Sequence, residues 1–273
     1  MTKRRDFLKT SAFAAGAIAA ARLLTPAEAL AAHIEALQAS DIEKLLLQAV
    51  DEMKSAGVTF ADARIGRYSR QNISTREQQV TGVSDTSTIG IGVRALVRGT
   101  WGFAGTRVLT PDGVTAAVRE ALAIARANRL PGAEPVILAP GENHGRKTWK
   151  SAYVTDPWDI PIEQKADLLL RANAEALKVP NVRFVQSGMS FVKEEKHYAN
   201  TDGSIISQTI IRSDLPFNAT AVASDNSDFQ SRSNSVQPIG RGYEYILEQD
   251  ILTNGRLWSE QAEIGRASCR ERV

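Results

Sequence analysis

Residues 84–106, SDTSTIGIGVRALVRGTWGFAGT, decide the fold. Ile89, Ile91, Val93, Ala95 and Val97 alternate with Gly90, Gly92, Arg94, Leu96 and Arg98. A period of two marks a strand with one buried face. Arg98-Gly99-Thr100 reads as a three-residue hairpin loop, with glycine at the position that needs positive φ. That loop sets Val97 opposite Trp101, Ala95 opposite Phe103 and Val93 opposite Gly105. Both aromatics then join the apolar face, a favourable cross-strand arrangement. Residues 90–95 also spell G-x-G-x-x-A, the dinucleotide fingerprint. That motif must leave a strand and open a helix. Here it lies within a strand that runs into another strand, so the glycines are read as sites of close backbone approach.

The flanks supply helices that need such a surface. Ile42, Leu45, Leu46, Ala49, Val50 and Met53 form one stripe of a helix over residues 40–56. Ser40 and Glu43 read as its capping box, and Gly57 as its stop. Strands are expected at residues 60–68 and 73–83. Thr110-Pro111 caps a second helix running to about residue 128 on Val114, Ala117, Val118, Ala121, Leu122 and Ala125. Residues 130–153, broken by Pro131, Gly132, Pro135, Pro140, Gly141 and Gly145, read as an irregular connection. At least one of Trp149 and Trp158 should anchor it. A third amphipathic helix spans 161–178, followed by strands at 182–194, 196–200, 205–212 and 217–224. Asp202-Gly203 and residues 225–228 are turns. Residues 231–245, Ser/Gly-rich, read as a surface loop. The fold class is therefore α+β, two units of antiparallel sheet packed with amphipathic helices, over residues 40–129 and 154–263.

The two ends stand apart. Lys3, Arg4 and Arg5 precede a mild apolar run at residues 11–21, and Arg4-Arg5-Asp6-Phe7-Leu8-Lys9 resembles the twin-arginine consensus. Residues 27–29 and 29–31 each offer an A-x-A cleavage site. Residues 1–31 are thus expected to engage the twin-arginine export machinery and deliver the protein to a periplasmic or extracellular location. At the other end, residues 264–273 read IGRASCRERV, the translation of a common sequencing adapter. The authentic sequence is expected to stop near Glu263. The two ends together carry a formal charge of +5 and the stretch between them −3, which makes the net +2. No nucleic-acid partner is expected. The single cysteine, Cys269, lies in the terminal string, which leaves no thiol chemistry.

Catalytic patterns are absent from the residues themselves. His33, His144 and His197 have no neighbours at metal-ligand spacing. Glu194-Glu195-Lys196-His197 alternates between strand faces and reads as a solvated edge. No serine sits in a nucleophile elbow. Neither catalytic nor metal residues are assigned.

Gly90-Ile91-Gly92-Val93-Arg94, Trp101-Gly102-Phe103-Ala104, Asp202-Gly203 and Gly240-Arg241-Gly242-Tyr243-Glu244 together resemble the TldD/PmbA family, often called gyrase modulators. The resemblance covers residues 42–263. It implies a dimeric metallopeptidase acting on peptides, as a homodimer or a heterodimer with a second TldD/PmbA-like subunit. It also implies zinc, held in the family by H-E-x-x-x-H on a helix, with the glutamate as general base. This sequence lacks that motif, so the chain alone is expected to bind no zinc and to be inactive. Two readings stay open: the N-terminal part of an exported zinc peptidase, or the non-metal partner subunit that binds peptide and dimerises. Arg94 and Arg98, on the side of the hairpin away from its apolar face, are candidate contacts for a peptide carboxylate.

Overall fold

The computed structural model describes residues 38–132, 134–234 and 237–270. Arg4, Arg5 and the export signal lie outside the described residues. Two compact units are distinguished, Met1–Asp41 and Ile42–Val273. In the first, the Gln38 backbone N–H donates to the Asp41 carboxylate at 3.4 Å. Helix α1 (Ala39–Ser55) therefore starts one residue before Ser40, and Asp41 takes the reciprocal capping role expected of Glu43. The stripe from Ile42 to Met53 is buried as expected, and Gly57 leaves the helix at φ +74°.

Strand β1 (Phe60–Arg76) and strand β2 (Gln79–Val97) form one long hairpin, with a bulge at Ser74/Thr75. The two separate strands expected between residues 60 and 83 are thus parts of a continuous ladder. Polar residues such as Gln71 and Asn72 sit within it because backbone pairing on both sides of β1 carries the strand through.

Strand β3 (Thr100–Thr106) corrects the hairpin register. The loop has two residues, Arg98 (φ +51°) and Gly99 (φ +81°), both left-handed. Such turns match the twist of the flanking strands. Val97 lies opposite Thr100, Leu96 opposite Trp101 and Arg94 opposite Phe103. The aromatics consequently face away from Ile91, Val93 and Ala95, and Phe103 is 61% exposed. Leu46, Ile91, Val93, Val118 and Leu122 are buried together, whereas Val97, read above as part of the buried face, is half-buried beside the turn. The reason is steric. Helix α2 (Pro111–Ala127) packs on β2 and β3, and a Cβ at Gly102 would come within 2.5 Å of the Ala125 nitrogen. Only glycine and alanine, at 102 and 104, fit beneath that helix. The cap of α2 is as read: the Thr110 hydroxyl accepts from the Gly113 N–H at 3.2 Å.

Strand β4 (Arg146–Lys150) pairs parallel to β6 inside the stretch expected to be irregular. Five residues carrying Arg146, Lys147 and Lys150 give no apolar alternation to read. A single turn at Pro157–Asp159 leads to helix α3 (Ile162–Ala176). Trp158, in that turn, packs against the second core, whereas Trp149 is exposed. Strand β5 (Val182–Asn200) joins the two strands expected on either side of Glu195. Strands β6 (Ile205–Asp214), β7 (Phe217–Val222) and β8 (Phe229–Ser233) follow, and β8 uses part of the expected surface loop. Helices α4 (Glu244–Glu248) and α5 (Ile251–Arg270) end the described chain.

The architecture is α+β. The strands of both halves share one eight-stranded sheet, ordered β3-β2-β1-β5-β6-β4, with β7 pairing β5 and β8. The junction is β1 against β5, antiparallel from Asp62 opposite Asn200 to Arg76 opposite Gln186. Phe191, Met189, Leu215 and Phe217 carry the second core beneath α3 and α5.

Candidate functional site

At the end of β1, Asp62 interrupts an apolar alternation between Ala61 and Ala63 and is only 1% exposed. Its register partner on β2 is Arg94. The Arg94 Nε donates to both carboxylate oxygens at 3.1 Å, and a second guanidinium nitrogen donates to Oδ2. The hydrogen bonding to Asp62 pushes the Arg94 pKa further up. Arg64 approaches the same carboxylate at 3.6 Å. Each guanidinium also lies over an aromatic ring: Arg94 over Trp101 at 5.3 Å, and Arg64 over Tyr198 at 5.5 Å. Burial, and then the Asp62 charge, raise the Tyr198 hydroxyl pKa. The result is a ring-lined floor in which Arg94 is clasped by a buried carboxylate, and Glu142 and Asp202 also line the space above it.

Above it is a cavity of about 820 Å³, lined by Phe60, Arg94, Trp101, Tyr198 and the segment around residues 135–144. That volume lies in the range of ligand-binding clefts. The segment is tied at both ends. The Val136 N–H donates to the Gly99 carbonyl at 2.9 Å. The His144 N–H donates to the Ser204 hydroxyl at 3.0 Å, and that hydroxyl donates to the Glu142 carbonyl at 3.3 Å. Between the ties, Ile137 is 87% exposed.

Of the two candidate arginines, the structure brings Arg94 to the cavity wall, already clasped by Asp62. Arg98 sits in the hairpin turn, exposed and outside the cavity lining. Asp62 and Tyr198 were not singled out in the sequence. A lone aspartate within Ala-Asp-Ala on a strand was the available signal. His197 is corrected: β5 is an interior strand, so His197 is half-buried rather than on a solvated edge. Burial lowers its pKa, and its Nδ1 lies 3.1 Å from the Ser207 hydroxyl. Glu194 pairs with Lys196 at 2.8 Å and Arg212 at 3.0 Å.

A second polar cluster lies under the sheet. Lys165 is fully buried, donates to the Gln71 side chain and, at 2.6 Å, to the Pro157 carbonyl, and stands 4.8 Å from the Phe191 ring centre. Desolvation lowers its pKa to about 8. Its place was legible: Lys165 falls in the helical stripe of Ile162, Leu169, Ala172 and Ala176. Among the described residues no three His, Cys, Asp or Glu side chains converge to hold a metal ion. These residues do not fit a catalytic zinc.

The geometry shows an open cavity on an α+β scaffold, and comparison with known proteins places the scaffold. The PmbA/TldA metallopeptidase domain 1 profile matches residues 61–125, and the PmbA/TldA metallopeptidase central domain profile matches residues 155–270. The chain belongs to the PmbA/TldD metallopeptidase family. A metalloprotease of Methanothermobacter thermautotrophicus is 31% identical over 207 residues, covering 75% of this chain and 43% of that protein. A structure described as a modulator of a DNA gyrase, from Thermotoga maritima, superposes with a TM-score of 0.62 at 17% identity, covering 81% of this chain and 47% of the other. A similarly described structure from Bacteroides thetaiotaomicron gives 0.52 at 14% identity, covering 76% and 48%. The two superpositions show the shared fold. The chain spans less than half the length of each of these relatives.

Proposed function

We propose that this chain supplies the peptide-receiving groove of an exported PmbA/TldD-type zinc metallopeptidase. The observation that carries the reading is the cavity floored by Trp101, Tyr198 and Arg94. Flat rings accept apolar side chains, and a guanidinium held in place by Asp62 attracts carboxylates and carbonyl oxygens without first losing side-chain entropy. Among the described residues no side chains converge on a metal ion, so no chemical step is assigned to this groove. Titrating a labelled unstructured peptide with the full chain, read by fluorescence anisotropy, tests the assignment. Trp101→Ala and Tyr198→Ala should each weaken binding about tenfold or more, the loss of one stacked ring, with the unfolding temperature monitored alongside. Unchanged affinity in both variants removes the groove reading. For export, Arg4→Lys with Arg5→Lys should leave uncleaved precursor in the cytoplasm. Undiminished export would refute the twin-arginine route.

A further inference from the structure

We propose that the open face of the sheet along β1 is a track for acidic, extended peptides that leads them to the groove described above; the inference rests on that reading for where the track ends. From Arg64 to Arg76 the even-numbered side chains of β1 are exposed or half-exposed. Three of them are arginines, Arg64, Arg70 and Arg76, each six residues from the next, about 20 Å of strand. Strand pairing brings further cations to the same face. Lys196 lies opposite Gly66, and Arg212 lies opposite Val192, the partner of Arg70. Arg94, opposite Asp62, stands at the cavity end. Against these cations stand the carboxylates of Asp62, Glu194 and Asp214. The sequence between the two chain ends is acidic overall, so this face is positive where the rest of the surface is not, a segregation that net charge conceals.

The three arginines of β1 share one construction. Arg64 lies over the Tyr198 ring at 5.5 Å, Arg70 over Tyr68 at 5.6 Å and Arg76 over Phe184 at 5.8 Å. A planar guanidinium laid on a ring loses little further freedom on binding, and its N–H edge stays available for a carboxylate fork. Arg64 shares Asp62 at 3.6 Å, and Arg76 pairs with Glu77 at 3.2 Å. Arg70 donates to the Tyr68 hydroxyl at 3.3 Å and has no carboxylate partner among the described residues.

The same stacking selects between polyanions. Single-stranded nucleic acid needs bare rings on which its bases stack, and here guanidiniums lie over them. Carboxylates on an extended chain need only the N–H edges. An extended peptide advances about 3.3 Å per residue, as β1 does, so acidic side chains six residues apart reach successive arginines. Glu142 and Asp202 line the cavity itself. The acidic residues of a bound peptide therefore lie along β1, and the segment within the cavity is uncharged and offers Arg94 its carbonyl oxygens.

The test uses the full chain and labelled 20-residue peptides with a central uncharged segment, identical except for Glu, Gln or Lys at every third position outside it. By fluorescence anisotropy at low salt, affinity should fall from Glu to Gln to Lys, and the advantage of Glu over Gln should shrink as salt rises. Arg70→Glu combined with Arg76→Glu changes two exposed side chains outside the cavity lining. This double variant should weaken the Glu peptide about fivefold or more, the size of a Coulomb contact in water, and leave the Gln peptide and the unfolding temperature unchanged. Equal affinity for the Glu and Gln peptides overturns the track and leaves the groove standing. A double variant that holds the Glu peptide as tightly as the parent overturns it as well. Trp101→Ala without effect on the Gln peptide removes the groove reading, while dependence on Arg70 and Arg76 still supports the track. An oligothymidylate that binds more tightly than the Glu peptide assigns the face to nucleic acid and overturns the proposal.

Discussion

The two faces of the sheet are built on different physics. Along β1, the odd-numbered residues Ala61, Ala63, Ile65, Ser69, Gln71, Ile73 and Thr75 are buried, while the even-numbered Arg64, Gly66, Tyr68, Arg70, Ser74 and Arg76 are exposed. The odd face meets helices, and its limits are volumetric: a glycine at 102 and alanines at 61, 63, 95 and 104 set how closely they approach. The even face is held by charge pairs and rings, with Asp62 its one buried anchor on β1. On the first face Gly102 leaves no room for a Cβ, whereas the exposed positions of the second can change their side chains at little cost. The proposed groove lies on the second.

The sharpest way to break that comparison is Gly102→Val. Its branched side chain would run into the α2 backbone, costing about 3 kcal/mol or more. A urea midpoint equal to that of the parent would show that α2 does not press on β3. A smaller effect tests the charged group on the covered face. Lys165 releases its proton near pH 8 when folded, against an ordinary value of 10.5. Between these values the unfolded chain binds more protons than the folded one, so stability should rise as pH increases from about 8 to 10.5. Below that window Lys165 is charged in both states and contributes no slope. Lys165→Met should flatten the rise, read as the unfolding midpoint at successive pH values. An unaltered slope would place the titration elsewhere. The smallest effect belongs to the open face. Phe103→Ser should shift stability by no more than about 0.5 kcal/mol, as expected of an exposed position. A loss of several kcal/mol would restore the register in which Phe103 faces the core.

The hairpin shows where local reading ends. Alternation from Ile89 to Val97 identifies the strand, but Arg98-Gly99-Thr100 is compatible with a two- or a three-residue loop. One residue of difference moves both aromatics to the opposite face. The choice is made by α2, some twenty residues later, because only Gly102 and Ala104 fit under it. Likewise, Arg94 was visible as a charged residue on the hairpin, but its partner Asp62 and neighbour Tyr198 are brought to it by β1 and β5, remote in sequence.

The local sequence by itself determined the helix stripes, the cap at Thr110, the turn at Gly203 and the α+β class, while several dispersed motifs carried the resemblance to the family. These are local properties, written in spacings of two and in the repeat of the helix. The tertiary structure decided that β1 and β5 fuse the strands of both halves into one sheet, that Trp101 and Phe103 look outward, and that Lys165 is buried without a carboxylate bonded to it. Those outcomes depend on which backbone pairs with which and on how closely a helix can approach. They are long-range constraints, to which the pattern along one strand or helix is blind.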